Sequence, residues 1–393
     1  MKTPISYGRH FIDEEDIASV VEVMRHGWLT QGPKVPEFEA AVAARVGARH
    51  AVAVSNGTAA LHIACAAAGV SAGDTVITSP NTFVASANCA AYLGATPALA
   101  DIDPETLNLD PAELARHCAK NQSVRAIIPV HFAGLPCDMP AIQAIARKHG
   151  ACVIEDAAHA LGATYEDGST VGNCRYSDMT TFSFHPVKMI TTGEGGMITT
   201  NNDALYRKLL RLRSHGINKL DDPLQGKDHA FTGPEINAWY YEMQELGFNY
   251  RLTDLQAALG TSQLRKLDLF LERRRELANR YNSAWKDHPV VRPAQSDTGS
   301  RSALHLYVLR IAFDRIGTTR HAFMKRLREK GIVAQVHYIP VHFHPYYAPN
   351  GNRKGEFPHA ENYYEEALSL PLYYGLSNDE QNLVIESIND LVK

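Results

Sequence analysis

An α/β fold is what this sequence predicts, with a mostly parallel seven-stranded sheet joined to a smaller α+β unit. The apolar period switches repeatedly between helix-like and strand-like stretches, and seven short β-rich runs fall between about residues 50 and 200. Length is the third observation: 393 residues, at roughly 150 per domain, predict two domains. We place them at 1–282 and 283–393.

Taken in order, Glu14–His26, Pro36–Val46 and Thr58–Ala68 carry apolar residues three and four apart, the spacing of a helix with one buried face. The β-rich runs are Ala51–Ser55, Thr75–Thr78, Thr96–Asp101, Ala126–His131, Cys152–Glu155, Thr180–Phe184 and Met197–Thr200. Seven such strands fit one sheet covered by helices on both faces. Thr253 and Gln256 stand at capping-box spacing, so a helix starts there and is expected to continue through Leu264–Arg280. Beyond about residue 283 the pattern changes to a strand at Leu304–Ile311, a helix at Arg320–Lys330, a strand at Val333–His337 and a last helix at Asn378–Leu391.

Composition narrows the function. The chain has 39 basic and 43 acidic residues, a net charge of −4, and no Lys/Arg-rich tract, so nucleic acid is not an expected partner. No apolar run approaches the roughly 18–20 residues that cross a bilayer, and Met1–Tyr7 lacks the apolar stretch of a signal peptide. Six cysteines stand singly with no C-x-x-C pair, which favours neither structural zinc nor a disulfide framework. A soluble cytoplasmic protein is the expectation.

Three separated segments carry the chemistry. Ser55-Asn56-Gly57-Thr58 sits where a strand turns into a helix, whose free amides and positive dipole end suit a phosphate. Cys152-Val153-Ile154-Glu155-Asp156-Ala157-Ala158-His159 ends a strand in two acids, at the sheet edge where α/β proteins bind ligands. Ser183-Phe184-His185-Pro186-Val187-Lys188, followed by Thr192-Gly193-Glu194-Gly195-Gly196, puts a lysine just after a buried strand, where desolvation makes an amine nucleophilic toward an aldehyde. Each also has a plain structural reading: Asn-Gly as a turn, Asp156 as a cap, His159 as a core histidine, Lys188 as a surface residue. Together, in that order, they match the phosphate, the ring nitrogen and the aldehyde carbon of pyridoxal phosphate.

The set Asn56-Gly57-Thr58, Glu155-Asp156-Ala157-Ala158-His159, Ser183–Lys188, Gly193–Gly196 and Asn249-Tyr250-Arg251-Leu252-Thr253-Asp254-Leu255-Gln256-Ala257-Ala258 resembles the DegT/DnrJ/EryC1/StrS sugar aminotransferases. The resemblance covers nearly the whole chain and implies the aspartate aminotransferase-like fold (PLP fold type I) with pyridoxal 5′-phosphate as cofactor. It implies that Lys188 bonds the aldehyde carbon and moves the proton, and that Asp156 keeps the ring nitrogen protonated. Gly57, Thr58 and Ser183 would hold the phosphate, with Asn249 reaching in from the other subunit of a homodimer. Phe83 would stack on the ring and His159 would lie beside it. Tyr7, Gly27, Trp28, Leu29, Thr30, Gln335, Val336, His337 and Tyr338 look like contacts for a nucleotide sugar.

Leu29-Thr30-Gln31-Gly32 and Gln335–Pro340 look like the branch serving pseudaminic acid biosynthesis. That likeness implies amino transfer from L-glutamate to a UDP-linked 4-keto-6-deoxyhexose, giving UDP-4-amino-4,6-dideoxy-N-acetyl-β-L-altrosamine. The alternatives are another nucleotide-4-keto-6-deoxyhexose of the perosamine or bacillosamine type, a sugar dehydratase, or a silent binder. Dehydratases of the family carry histidine in place of the lysine, so Lys188 argues against that one. Arg251 and Arg213 are candidates by charge for the glutamate carboxylates, and the role of 220–247 stays open. His342 and His344 invite a metal reading, but no Cys or carboxylate lies near them at ligand spacing. No metal is expected.

Overall fold

Across the central sheet the strands run in the order His50–Val54, Gly196–Thr200, Met179–Ser183, Cys152–Asp156, Val124–Ile128, Thr75–Thr78 and Thr96–Leu99. Gly196–Thr200 is antiparallel to both neighbours and every other pairing is parallel. This computed structural model describes residues 4–121, 123–218, 223–226, 228–295, 301–348 and 353–393. Met1–Thr3, and positions 220–222 and 227 of the 220–247 segment, lie outside the described residues.

The β-rich runs became strands because both faces of the sheet are covered. Successive residues alternate between two cores: Ala51, Ala53, Val153 and Phe182 join one, and Val52, Val54, Ile154 and Ile198 the other. Helix Lys34–Val46 supplies Phe38 and Val42 to the first core, and helix Gly57–Ala67 supplies Ala60, Ile63 and Ala64 to the second. Helices Glu14–His26 and Asn378–Leu391 have the predicted limits.

The second unit is a three-stranded antiparallel sheet in the order Val291–Pro293, Tyr307–Ile311, Ala367–Leu370, with its own core around Tyr281, Trp285, Leu309, Phe323 and Ile388. Ile5 pairs in parallel with Ile332, so the N-terminal strand Ile5–Ser6 adds to this unit.

Two expectations are corrected. The capping box forms, with the Gln256 amide donating to Thr253 Oγ1 (3.2 Å) and the Thr253 amide donating to Gln256 Oε1 (3.1 Å). The helix does not run on: it divides at Lys266 into Asp254–Arg265 and Leu267–Ala284. No glycine or proline marks the break. Lys266 Nζ is held by Asp13 (2.5 Å) and Asp16 (3.0 Å), a tertiary tie that periodicity cannot show. The second half then serves both units, with Leu267, Phe270 and Leu271 in the large core and Leu277, Ala278 and Tyr281 in the small one. The other correction concerns Val333–His337, where the strand is only Ile332–Val333. Past one bridge between Gln335 and Ser369 the chain leaves the ladder.

Candidate active site

A cavity of about 900 Å³ opens at the C-terminal ends of the parallel strands. Cys152–Asp156 and Met179–Ser183 both end on it, so their last residues, Asp156 and Ser183, line it. Glu155 does not. Strand alternation turns it to the opposite side, where it is fully buried and bound to His131 Nε2 (2.7 Å), Tyr165 Oη (2.5 Å), Ser177 Oγ (2.5 Å) and Thr180 Oγ1 (2.9 Å). Burial pushes the Glu155 carboxyl up, and these donors outweigh it, leaving it below its ordinary value.

Asn56 caps helix Gly57–Ala67, its Oδ1 accepting from the Ala59 amide at 2.8 Å. The amides of Gly57 and Thr58 have no acceptor within the helix and sit at the cavity wall. Gly57 is required by closeness: a Cβ there would lie 2.9 Å from Ser183 Cβ. A Cβ on Gly196 would lie 2.4 Å from the Asn56 carbonyl oxygen, so the glycine-rich stretch lets the neighbouring strand press on the turn. The Ser55 amide donates to the Tyr250 carbonyl (2.8 Å), which fixes the turn from the other side.

Lys188 follows Ser183 on a loop pinned by main-chain bonds from Phe184 to Gly195 (2.8 Å) and from Thr192 to Phe184 (3.0 Å). Its side chain is half-buried and faces the cavity. Burial pulls its amine down to about 8, with the Asp156 carboxylate pulling the other way. Asp156 accepts from Ser86 Oγ at Oδ2 (2.6 Å) and from the Ala158 amide at Oδ1 (3.1 Å). Phe83 stands 57 % exposed at the cavity.

The opposite wall is Tyr7 and Gln335–Ile339. Tyr338 Oη lies 3.0 Å from His159 Nε2, and His337 Nδ1 lies 2.8 Å from Ser369 Oγ. His159 is buried and lies against His305, with ring centres 4.3 Å apart. Burial and then the Lys188 charge hold His159 well below the ordinary imidazole value, and bring His337 down to about 3. Burial, then His159 and Lys188, do the same to His305. Burial thus favours the neutral form of all three rings.

Of the residues singled out in sequence, Tyr7, Gly57, Thr58, Phe83, Asp156, His159, Ser183, Lys188, Gln335, Val336, His337 and Tyr338 share this cavity. Asn249 and the segment Gly27, Trp28, Leu29 and Thr30 do not: they are exposed on the surface of their own chain, Trp28 by 70 %. Arg213 is corrected as a carboxylate candidate, since it is buried against Glu39 (2.5 Å) and the Ala53 carbonyl (2.8 Å). Arg251 donates to Ser214 Oγ (2.8 Å), also away from the cavity.

The two C-terminal histidines part company. His342 is buried and meets Glu361 at 3.1 Å, a carboxylate 19 residues on that local spacing could not reveal, while His344 lines the cavity. Among the described residues no three His, Cys, Asp or Glu side chains form a metal-binding group.

Sequence reasoning missed His305, Ser86 and Thr82. A signal existed for His305, a polar residue inside the apolar run Ala303-Leu304-His305-Leu306-Tyr307. For the two hydroxyls there was none.

The model of the DegT/DnrJ/EryC1/StrS aminotransferase family matches residues 10–389. The chain is 44 % identical to the spore coat polysaccharide biosynthesis protein SpsC of Bacillus subtilis, covering 99 % of this chain and 97 % of that protein. Among solved structures, Helicobacter pylori PseC, an aminotransferase of pseudaminic acid biosynthesis, superposes with a TM-score of 0.88 at 30 % identity over 99 % of both chains. The sugar aminotransferase Spr1654 of Streptococcus pneumoniae, in its PLP form, gives 0.87 at 29 % identity, covering 99 % of this chain and 98 % of that one. The chain belongs to the DegT/DnrJ/EryC1/StrS aminotransferase family.

Proposed function

From membership of an aminotransferase family we propose that this protein uses pyridoxal 5′-phosphate to transfer an amino group from L-glutamate to the C4 keto carbon of a UDP-linked 2-acetamido-2,6-dideoxy-4-ketohexose. The product is UDP-4-amino-4,6-dideoxy-N-acetyl-β-L-altrosamine. The observation that carries the reading is the convergence of Lys188, Asp156 and the Asn56–Thr58 turn on one cavity.

The residues present fit the cofactor. The cradle at Gly57, too tight for a Cβ, offers two amides and the Ser183 hydroxyl to a phosphate. Asp156 is a buried carboxylate suited to a ring cation, and Phe83 offers an open aromatic face. When bound, the cofactor supplies an exchangeable aldehyde and a conjugated electron sink.

Lys188, at about 8, keeps a useful neutral fraction at physiological pH and would be the amine that holds the cofactor through its aldehyde. When free of the cofactor, the same side chain would hold and move the proton at the substrate carbon. His159 stays neutral and is oriented by Tyr338. Tyr7 and Gln335–Tyr338 face the sugar. Asn249 and Gly27–Thr30, exposed on their own chain, complete the partner's cavity in a homodimer.

The likeness to PseC, an aminotransferase of pseudaminic acid biosynthesis, favours this reading. The higher identity to SpsC, named for a spore coat polysaccharide, favours a second reading: another nucleotide-4-keto-6-deoxyhexose, with the same chemistry. The test is incubation of the purified protein with glutamate and a panel of UDP- and GDP-4-ketosugars, following 2-oxoglutarate and the amino sugar. Amination of the UDP-acetamido sugar supports the first reading and of a GDP sugar alone the second. No amination, with no visible absorbance band on adding cofactor, overturns both.

A further inference from the structure

We infer that Ser86 and Thr82 are positioning residues that hold the Asp156 carboxylate in the orientation a ring nitrogen needs, an inference that rests on the cofactor reading above. Ser86 is fully buried, and its Oγ lies 2.6 Å from Asp156 Oδ2. It lies 2.8 Å from Thr82 Oγ1. The direction of this chain follows from chemistry. An ionised carboxylate only accepts, so the Ser86 proton goes to Asp156, and the Ser86 oxygen is then free to accept the Thr82 proton. The bond is short and charge-assisted, the strongest kind available to a hydroxyl. Ser86 also approaches the Phe83 carbonyl, but at 3.4 Å that contact cannot compete for the proton.

The Ala158 amide donates to the other oxygen, Oδ1, at 3.1 Å. Each carboxylate oxygen thus has one fixed donor, and Asp156 still faces the cavity with lone pairs to offer. The contact reaches across the sheet: Ser86 follows strand Thr75–Thr78, which is separated from Cys152–Asp156 by Val124–Ile128. Phe83 stands between the two hydroxyl residues and presents its ring to the same cavity. The short stretch Thr82–Ser86, which leads into helix Ala85–Ala91, therefore sets both the stacking wall and the bearing of the carboxylate.

The experiment compares wild type with Ser86→Ala, Ser86→Thr and Thr82→Val. It measures cofactor affinity by absorbance titration of the cofactor-free protein, then kcat and KM for the amino acceptor. Ser86→Ala is expected to weaken cofactor binding by about tenfold to a hundredfold and to lower kcat by a similar factor, with KM for the sugar within about twofold. Ser86→Thr keeps the hydroxyl and restores most of both. Thr82→Val leaves Ser86 its proton and costs only about threefold to tenfold.

A wild-type protein that develops no visible band with cofactor sinks the cofactor reading itself. A wild type that does, beside a folded Ser86→Ala equal to it in affinity and kcat, overturns the positioning role alone. Should Ser86→Ala fail to fold, Thr82→Val decides: affinity and kcat equal to wild type overturn the inference, and a several-fold loss of both supports it.

Discussion

The two walls of the cavity are built on different principles. On one side Asp156 and Ser183 are the last residues of central strands, so their positions inherit the ladder register Asp156↔Thr181 and Ser183↔Gly196. On the other, Gln335–Tyr338 has one bridge to Ser369 and is otherwise held by side chains. Tyr363 Oη donates to the His337 carbonyl (2.6 Å), His337 meets Ser369 (2.8 Å) and Tyr338 meets His159 (3.0 Å). Moving a strand end means disturbing a sheet buried on both faces. Moving the opposite wall means exchanging a few hydrogen bonds worth about 1 kcal/mol each. Such a fold can keep its chemistry while its recognition surface varies.

The largest break in that contrast is expected from Lys188→Ala. Turnover should fall by about two to four orders of magnitude and the visible band of the cofactor-bound protein should vanish, with circular dichroism unchanged. Full activity in this variant would remove the lysine from its role.

Next comes Asp156→Asn, which keeps the shape and removes the charge. A loss of about a hundredfold to a thousandfold in kcat is expected. A second readout sharpens it. In the wild type, the rate at which cofactor-free protein captures the aldehyde should climb about tenfold per pH unit up to about 8 and then level off, as the neutral amine fraction saturates. Because Asp156 raises the Lys188 value, its loss should move that curve to lower pH even as turnover collapses. A curve that moves up, or not at all, would separate the two groups.

Gly57→Ala tests the cradle. The new Cβ, 2.9 Å from Ser183 Cβ, must push the turn off the strand, at about 1–3 kcal/mol of stability in chemical denaturation and with weaker cofactor binding. The smallest effect belongs to the opposite wall. Tyr338→Phe removes the hydroxyl beside His159 and should change KM for the sugar by about twofold to tenfold while the absorbance band persists. If Tyr338→Phe matched Asp156→Asn in severity, the division between the two walls would not hold.

Much of the strand side was legible before the structure. Asn56-Gly57-Thr58, Asp156 and Ser183–Lys188 lie next to strands whose β-rich runs are visible, so residue and location could be read together. The opposite wall was legible only as residue names. Its course after Val333 depends on Ser369 and Tyr363, more than 25 residues further along, and the expected strand there proved too long. Ser86 was invisible because its partner is 70 residues away, and a serine in a small-residue helix has no period of its own. The break at Lys266 was hidden for the same reason: the helix pattern is sound on both sides, and only Asp13 and Asp16 decide where it divides.

Local order alone indicated the number of central strands, the capping box at Thr253 and Gln256, the limits of helices Glu14–His26 and Asn378–Leu391, and the lysine and carboxylate now proposed to react. Those follow from apolar period, backbone sterics and cap chemistry, which act within a few residues. Tertiary structure decided which of the two strand-end acids faces the cavity, that Arg213 serves Glu39 and not a ligand, and that His305 and Ser86 join the site. Contacts of that kind form only when distant segments pack, because burial and hydrogen-bond geometry belong to the folded chain and not to any stretch of it.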